Sequence, residues 1–398
     1  MNRKLFYITV LLILNTALIS GQVKVRLFTG FNPDTVTFSV TAGEYEINSF
    51  KGKTEILRKG DTAIITKSDE KLTFKTTNTR ELVSDSLLFS GHTGNDSFSL
   101  SGNEKVPAIR YYSGELQCKP DLGTLLLINI CDIESYIAGV VETEGGHGKN
   151  AEYFKTQAVI ARTYMYRHLE KHILDGFNLC DNTHCQAFNG LTSDTVIIGA
   201  ALAAKGLVIL GTDSTLIISA FHSNCGGETL SSENVWLTGQ PYLKKVTDNY
   251  CTSSRNARWR KSISISDWLA YLRSSGLSAK PGDLSQLNFS QITRLKNYKV
   301  GTFSIPLIQI RSDLGLRSAF FSVKVEGDSV ILNGRGYGHG VGLCQEGAIT
   351  MASQGFDFRK IIEFYYNGVI ISDIKNAVNR PPFPPEGGLT RGIPDDKE

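Results

Sequence analysis

From Val23 to about Ser101 apolar and polar residues alternate in short runs, and a period of two admits half-buried strands but not amphipathic helices. Val23-Lys24-Val25-Arg26-Leu27, Thr35-Val36-Thr37-Phe38-Ser39-Val40 and Lys71-Leu72-Thr73-Phe74-Lys75 carry the pattern. Gly43, Gly60-Asp61 and the stretch 91–95 break it where turns are needed. Residues 22–105 therefore read as an all-β unit. They contain no cluster of titratable residues, so this reads as an accessory domain.

From about Val106 the pattern changes. Gly123 to Asn129 reads as a buried strand, as do Leu207 to Leu210 and Leu216 to Phe221. Asn150 to Ile173 reads as a helix: Asn150 can cap it, Glu152 lies in its first turn, and Phe154, Ala158, Ala161, Met165 and Leu169 make one apolar face. Gly176 is its stop. A polar stretch from Ser274 to Thr302 reads as a surface insertion, and a last helix is expected from Phe358 to Tyr366. The chain is thus expected to be α+β, with an N-terminal all-β accessory domain followed by a mixed domain over 106–373 that contains one long helix. A length of 398 residues exceeds one ordinary core and fits this division. Five of the eleven prolines fall in 381–398, which makes residues 374–398 a tail without a core of its own.

Residues 1–21 read as a cleaved secretory leader. Arg3 and Lys4 start it, Leu5 to Ile19 is almost wholly apolar, and Ser20-Gly21 offers small residues at the cut. The apolar run falls short of the roughly 20 residues that a bilayer span needs. The mature chain is expected to be exported to a periplasm, a cell wall or the medium. Lys plus Arg number 42 against 39 Asp plus Glu, a net +3 that speaks against a nucleic-acid partner. Export also gives the seven cysteines an oxidising setting, in which an odd count leaves at least one unpaired.

Four stretches could carry chemistry. The first runs from Ile133 to Glu144 and on through Gly145-Gly146-His147-Gly148. A carboxyl group on this Gly-rich turn, near the start of the following helix, could face a cleft and act as a general acid. Equally, Glu142 and Glu144 could be a solvated acidic turn favouring the helix N-terminus. The second is Cys180-Asp-Asn-Thr-His184-Cys185-Gln186 with His168 and His172 upstream, whose spacing suits either zinc or a small disulfide loop. The third, Gly334 to Ala348, alternates glycine with other residues and sets His339 on a tight turn; its register excludes a dinucleotide fingerprint. The fourth is Phe221 to Thr229, whose Cys225 could pair with Cys251. No Gly-x-Ser-x-Gly elbow is present, which sets a serine hydrolase aside.

Together these blocks resemble the stage II sporulation protein D family, which includes amidase-enhancer proteins. The matching residues are Tyr136-Ile-Ala-Gly139-Val-Val, Glu144, and Lys155-Thr-Gln157-Ala158-Val-Ile-Ala161-Arg162-Thr163-Tyr164. Then come Cys180 to Gln186, Ser223-Asn-Cys-Gly226-Gly227-Glu-Thr229, Gly338-His339-Gly340-Val341-Gly342, Gln345-Glu-Gly347-Ala348, Met351-Ala352 and Tyr365-Tyr366-Asn-Gly368. The likeness covers residues 106–373. It implies a lytic transglycosylase that cuts peptide-stripped peptidoglycan strands after N-acetylmuramic acid and leaves a 1,6-anhydro end. The family's catalytic acid falls on Glu144, although Glu142-Thr143-Glu144-Gly145-Gly146 stands where family chains commonly have Pro-Ser-Glu-Met-Pro. Some members bind zinc through one His and two Cys. Cys180 and Cys185 match that pair, with His172 as third ligand and His184 as its rival, which favours a structural zinc over a disulfide. Tyr136, Tyr164, His339 and Gln345 are the candidate substrate contacts. The competing reading from the same resemblance is a non-catalytic glycan-binding enhancer whose partner is a cell-wall N-acetylmuramoyl-L-alanine amidase.

Overall fold

The computed structural model describes residues 21–49, 52–77, 81–102, 106, 108–278 and 282–378. The leader up to residue 20 and the tail from residue 379 lie outside the described residues. The fold is mixed α+β, in two compact units. One comprises residues 1–139 and 169–191; the other comprises 140–168 and 192–398.

The first unit is a two-layer β structure. A seven-stranded sheet runs in the order Leu179–Cys180, Gln22–Arg26, Thr124–Asp132, Glu115–Asp121, Leu87–Gly91, Glu44–Ser49, Gly52–Arg58. A six-stranded sheet runs Arg110–Ser113, Ser97–Gly102, Thr35–Ala42, Thr62–Ser68, Lys71–Thr76, Leu82–Ser84. The expected alternation is realised residue by residue: Val36, Phe38 and Val40 point inward from Thr35–Ala42, and Leu72 and Phe74 from Lys71–Thr76. Aromatic rings join the layers. Phe38 stacks on Phe89 of the opposite sheet at 4.3 Å and on Phe98 of its own at 4.8 Å, with Tyr45 edge-on at 5.3 Å.

The change of pattern at residue 106 does not mark a change of unit. Strands Arg110–Ser113, Glu115–Asp121 and Thr124–Asp132 continue the same two sheets, because their unpaired edges are completed by strands from the N-terminal region. Residues 169–191 return to this unit as well. Asp181, buried, accepts bonds from Phe28 N (2.6 Å), Thr29 N (3.1 Å) and Thr29 Oγ1 (2.5 Å) and pairs with Arg110 (3.0 Å). A buried carboxylate with this many donors fixes the returning segment to the first strand.

Helix α1 (Ile133–Gly145) follows the last long strand directly. Helix α2 (Ala151–Arg167) is the long helix of the second unit, capped by Asn150, whose side chain accepts from Glu152 N at 2.8 Å. It ends at Arg167 rather than at Ile173, and Gly176 instead closes a short 3-10 turn, Ile173–Asp175. Around α2 pack α3 (Thr195–Ala203), strand Leu207–Leu210 with its partner Ile370–Asp373, α6 (Gln345–Ser353) and α7 (Phe358–Tyr365). Between them in sequence lie α4 (Ile265–Ser274) and α5 (Leu307–Asp313). The strand expected over Leu216–Phe221 is reduced to a bridge at Leu216 and the pair Phe221–His222.

The stretch 274–302 is not a surface insertion. Leu287, Tyr298 and Val300 join Trp268, Leu272, Ile310, Phe321 and Leu332 in a separate hydrophobic core. That core is backed by a three-stranded sheet, Arg258–Ser264, Ser329–Arg335 and Phe321–Glu326. Its apolar residues are spaced irregularly among polar ones, so no periodicity advertises them. Among the described residues no helix is long and apolar enough to cross a membrane.

Candidate active site

Glu144 is half-buried in the last turn of α1, not beside the start of α2. At a helix C-terminus its carboxylate gains nothing from the helix dipole. Gln345, the first residue of α6, donates from Nε2 to the Glu144 carbonyl oxygen at 3.0 Å, joining two motifs 201 residues apart in the chain. Cys344 caps α6, its sulfur accepting from Gly347 N at 3.4 Å, and so fixes where Gln345 begins. Beneath lies Tyr153 of α2, 1% exposed, packed against Gly145. Burial, and then the charges of Glu144, Cys344 and Glu346, push its phenol well above the ordinary range, so it is a neutral hydroxyl throughout.

Glu142 is occupied elsewhere. Its Oε1 accepts from Thr192 Oγ1 at 2.6 Å and faces His147 Nδ1 at 3.6 Å. Of the two acidic side chains, this one ties down the chain at the head of α3, where Asp194 N in turn donates to Thr192 Oγ1.

His339 sits on the expected glycine turn, where Gly336, Gly338, Gly340 and Gly342 all have positive φ, between 71° and 109°. The imidazole, however, is bonded to backbone through both nitrogens. Nδ1 accepts from Val341 N (3.0 Å), which leaves Nε2 to donate to Phe221 O (3.0 Å). Both polar atoms of His339, an expected substrate contact, thus hold the turn. His222, whose ring lies 5.4 Å from that of His339, bonds Val341 O through Nδ1 at 3.1 Å. Burial, then His339 and Arg294, hold His222 well below the usual histidine range and keep it neutral.

Glu346 is a second carboxylate of this region that the sequence reading passed over. Its oxygens accept from Asn224 Nδ2 (2.5 Å) and Asn256 Nδ2 (2.6 Å). Arg294, lowered to about 10 chiefly by burial, donates to Cys225 O (2.6 Å) and Glu228 O (3.0 Å) and stacks 4.6 Å from the Phe320 ring. Glu346 lies in the stretch Gln345-Glu-Gly347-Ala348. Asn256 and Arg294 lie in loops with no pattern to flag them.

Tyr136 and Tyr164, two further expected substrate contacts, are both buried. Tyr136 is fully buried in the first unit, its hydroxyl donating to Gln186 Oε1 at 3.3 Å and its ring 5.0 Å from Phe188. Tyr164 is 7% exposed and stacks on His168 at 4.1 Å. Both are core residues.

The first unit holds a further cluster. His172, Cys180, His184 and Cys185 each offer one donor atom, and all four atoms lie within 4.8 Å of one another. Cys180 Sγ and Cys185 Sγ lie 3.5 and 3.7 Å from His184 Nδ1, and Cys185 Sγ lies 3.5 Å from His172 Nε2. Tetrahedral zinc with bonds of about 2.0–2.3 Å separates its ligand atoms by about 3.3–3.8 Å, so the set fits. His172 Nδ1 meets Asp175 Oδ2 at 3.2 Å, the carboxylate support typical of a metal-binding imidazole. Both His172 and His184, the two expected alternatives for the third ligand, lie beside the cysteine pair. The two cysteines are not joined in a disulfide.

Comparison with known proteins adds the remaining observation. A model of the family described as stage II sporulation protein, SpoIID, matches residues 121–210, which include Glu144 and all four members of the cluster. The stage II sporulation protein D of Bacillus amyloliquefaciens is 30% identical over 271 residues, covering 62% of this chain and 76% of that protein. The chain belongs to the SpoIID family. An uncharacterized protein of Brachyspira hyodysenteriae is 30% identical over 345 residues, 85% of this chain and 90% of that one. The amidase enhancer of Bacillus subtilis is 27% identical over 289 residues, 59% of this chain but only 40% of its own length.

Proposed function

We propose that this SpoIID-family chain acts on the bacterial cell wall as a lytic transglycosylase, with Glu144 as its single acid and base. The observation that carries the reading is the bond from Gln345 to the Glu144 backbone, which holds the acidic end of α1 against the start of α6. The Glu142 carboxylate is engaged with Thr192 and faces His147, a role distinct from the one proposed for Glu144.

The reaction needs one such group. Glu144, protonated, gives its proton to the glycosidic oxygen as the bond to the muramyl C1 breaks through an oxocarbenium-like state. The C6 hydroxyl of the same sugar attacks C1, an intramolecular step favoured by proximity. The ionised Glu144 takes the hydroxyl proton and is restored. One C–O bond breaks, one forms, and no water is consumed. Gln345 acts as a positioning residue.

We further propose that His172, Cys180, His184 and Cys185 hold a structural zinc. Four protein ligands leave no open position, so the ion would brace the 169–191 segment without entering the reaction.

Purified protein is expected to release 1,6-anhydro-muramyl products from peptide-stripped glycan, read by mass spectrometry. Glu144→Gln is expected to lower that rate by at least about 100-fold, the scale of a lost general acid. Undiminished product from the variant would overturn the assignment. The amidase-enhancer relative supports a second reading, glycan binding that stimulates a cell-wall amidase. That reading requires stimulation without anhydro products, and the same stimulation by Glu144→Gln.

A further inference from the structure

The second unit contains a cluster that the reaction does not use. Cys225, Asp248, Cys251 and Cys344 are all buried, and one donor atom from each lies within 4.8 Å of the others. Cys225 Sγ is 3.4 Å from Cys251 Sγ and 3.2 Å from Asp248 Oδ2. We propose that these four residues form a second metal site, taking a thiophilic divalent cation of the zinc class.

Several observations bear on it. Tetrahedral zinc with three sulfur ligands and one oxygen requires separations of about 3.5–3.8 Å, which small side-chain rotations supply here. The other Asp248 oxygen accepts from Tyr250 N at 2.9 Å, and Oδ2 accepts from Tyr365 Oη at 3.0 Å, so the carboxylate is aimed by its surroundings. Cys344 Sγ accepts from two backbone amides, Cys225 N at 3.3 Å and Gly347 N at 3.4 Å, as a thiolate ligand does. Position 347 must be glycine, because a Cβ would collide with the Tyr365 hydroxyl and Asp248 Oδ2. A disulfide between Cys225 and Cys251 would account for only two of the four clustered side chains and leave Cys344 and Asp248 unexplained. A cation accounts for all four side chains. Binding is balanced without an oxidant: the three thiols release their protons to solvent, and Asp248 binds as the carboxylate.

The site joins three loops, around residues 225, 248–251 and 344, and the last of these starts the helix that carries Gln345. The cation would thus act as a rivet at the start of α6, the helix that carries Gln345.

The test reads metal rather than activity. In full-length Cys180→Ser/Cys185→Ser protein, which lacks the first cluster, one zinc per chain is expected after exhaustive dialysis, and adding Cys251→Ser should reduce it at least 10-fold. In the unmodified chain, native alkylation followed by peptide mapping gives an answer independent of how the variants fold. Cys225, Cys251 and Cys344 should be protected until a chelator is added and modified afterwards. No zinc in the first variant, protection indifferent to chelation, or recovery of a linked Cys225–Cys251 peptide would each overturn the proposal.

Discussion

Asp96 closes the turn between two strands of the first unit by accepting from Glu44 N (3.0 Å) and Thr93 Oγ1 (3.0 Å) on one oxygen and from Thr93 N (2.5 Å) on the other. Burial opposes its charge, but these bonds outweigh burial and hold the carboxyl below its ordinary 3.8. Asp96→Asn is therefore expected to cost about 1–3 kcal/mol near neutrality. A folded-state pKa below the unfolded one makes this advantage complete above pH 3.8, and it is lost as pH falls through the folded value. Denaturant midpoints of the two proteins from pH 7 to pH 3 check it: the gap should narrow on acidification, and a widening gap would contradict the account. At the same scale Glu144 was legible as a residue but not as a place. Gly145-Gly146 mark the end of one helix as readily as the approach to the next, so local sequence left the direction open, and the helix preceding it decided the matter. His339 was legible as the occupant of a tight, glycine-rich turn. That both its nitrogens serve the turn depends on Phe221, 118 positions away.

Helix α2 shows what an element reveals and what it conceals. Its cap and apolar face are local signals, and Asn150→Ala should lower stability by about 1 kcal/mol. Arg162 in its middle is fully buried, donating to Ala158 O (3.4 Å) in its own helix, Ala201 O (3.2 Å) near the end of α3 and Leu207 O (3.1 Å) at the start of the next strand. The helix pattern alone would make it a surface side chain, because its partners are 39 and 45 residues downstream. Arg162→Met should leave two carbonyls without donors and cost about 3 kcal/mol or more by urea unfolding. Arg162→Lys should recover only part of this, since one ammonium cannot span acceptors that a planar fork reaches together. The 274–302 region failed to declare itself for the opposite reason: its core residues follow no period, and only Trp268, Tyr298 and Phe321 packing together makes them a core.

At the level of the whole molecule, the alternating strands were readable, but the division of the chain was not. A break in pattern near residue 106 coincides with the middle of two sheets. Residues 106–398 expressed alone should therefore keep the hairpin of Glu115–Asp121 with Thr124–Asp132 but lose the outer partner of each, Leu87–Gly91 and Gln22–Arg26. Hydrogen exchange should find 106–139 and 169–191 less protected in that fragment than in the full chain; equal protection in both would refute the division. Strand Gln22–Arg26 pairs with Thr124–Asp132 on one side and with Leu179–Cys180 on the other. It is among the first described segments to emerge during synthesis, yet it cannot complete its second ladder until some 150 further residues have followed. For that interval the newborn chain carries an unsatisfied edge, so its yield should depend on how fast it is made and on whatever holds it apart from its neighbours.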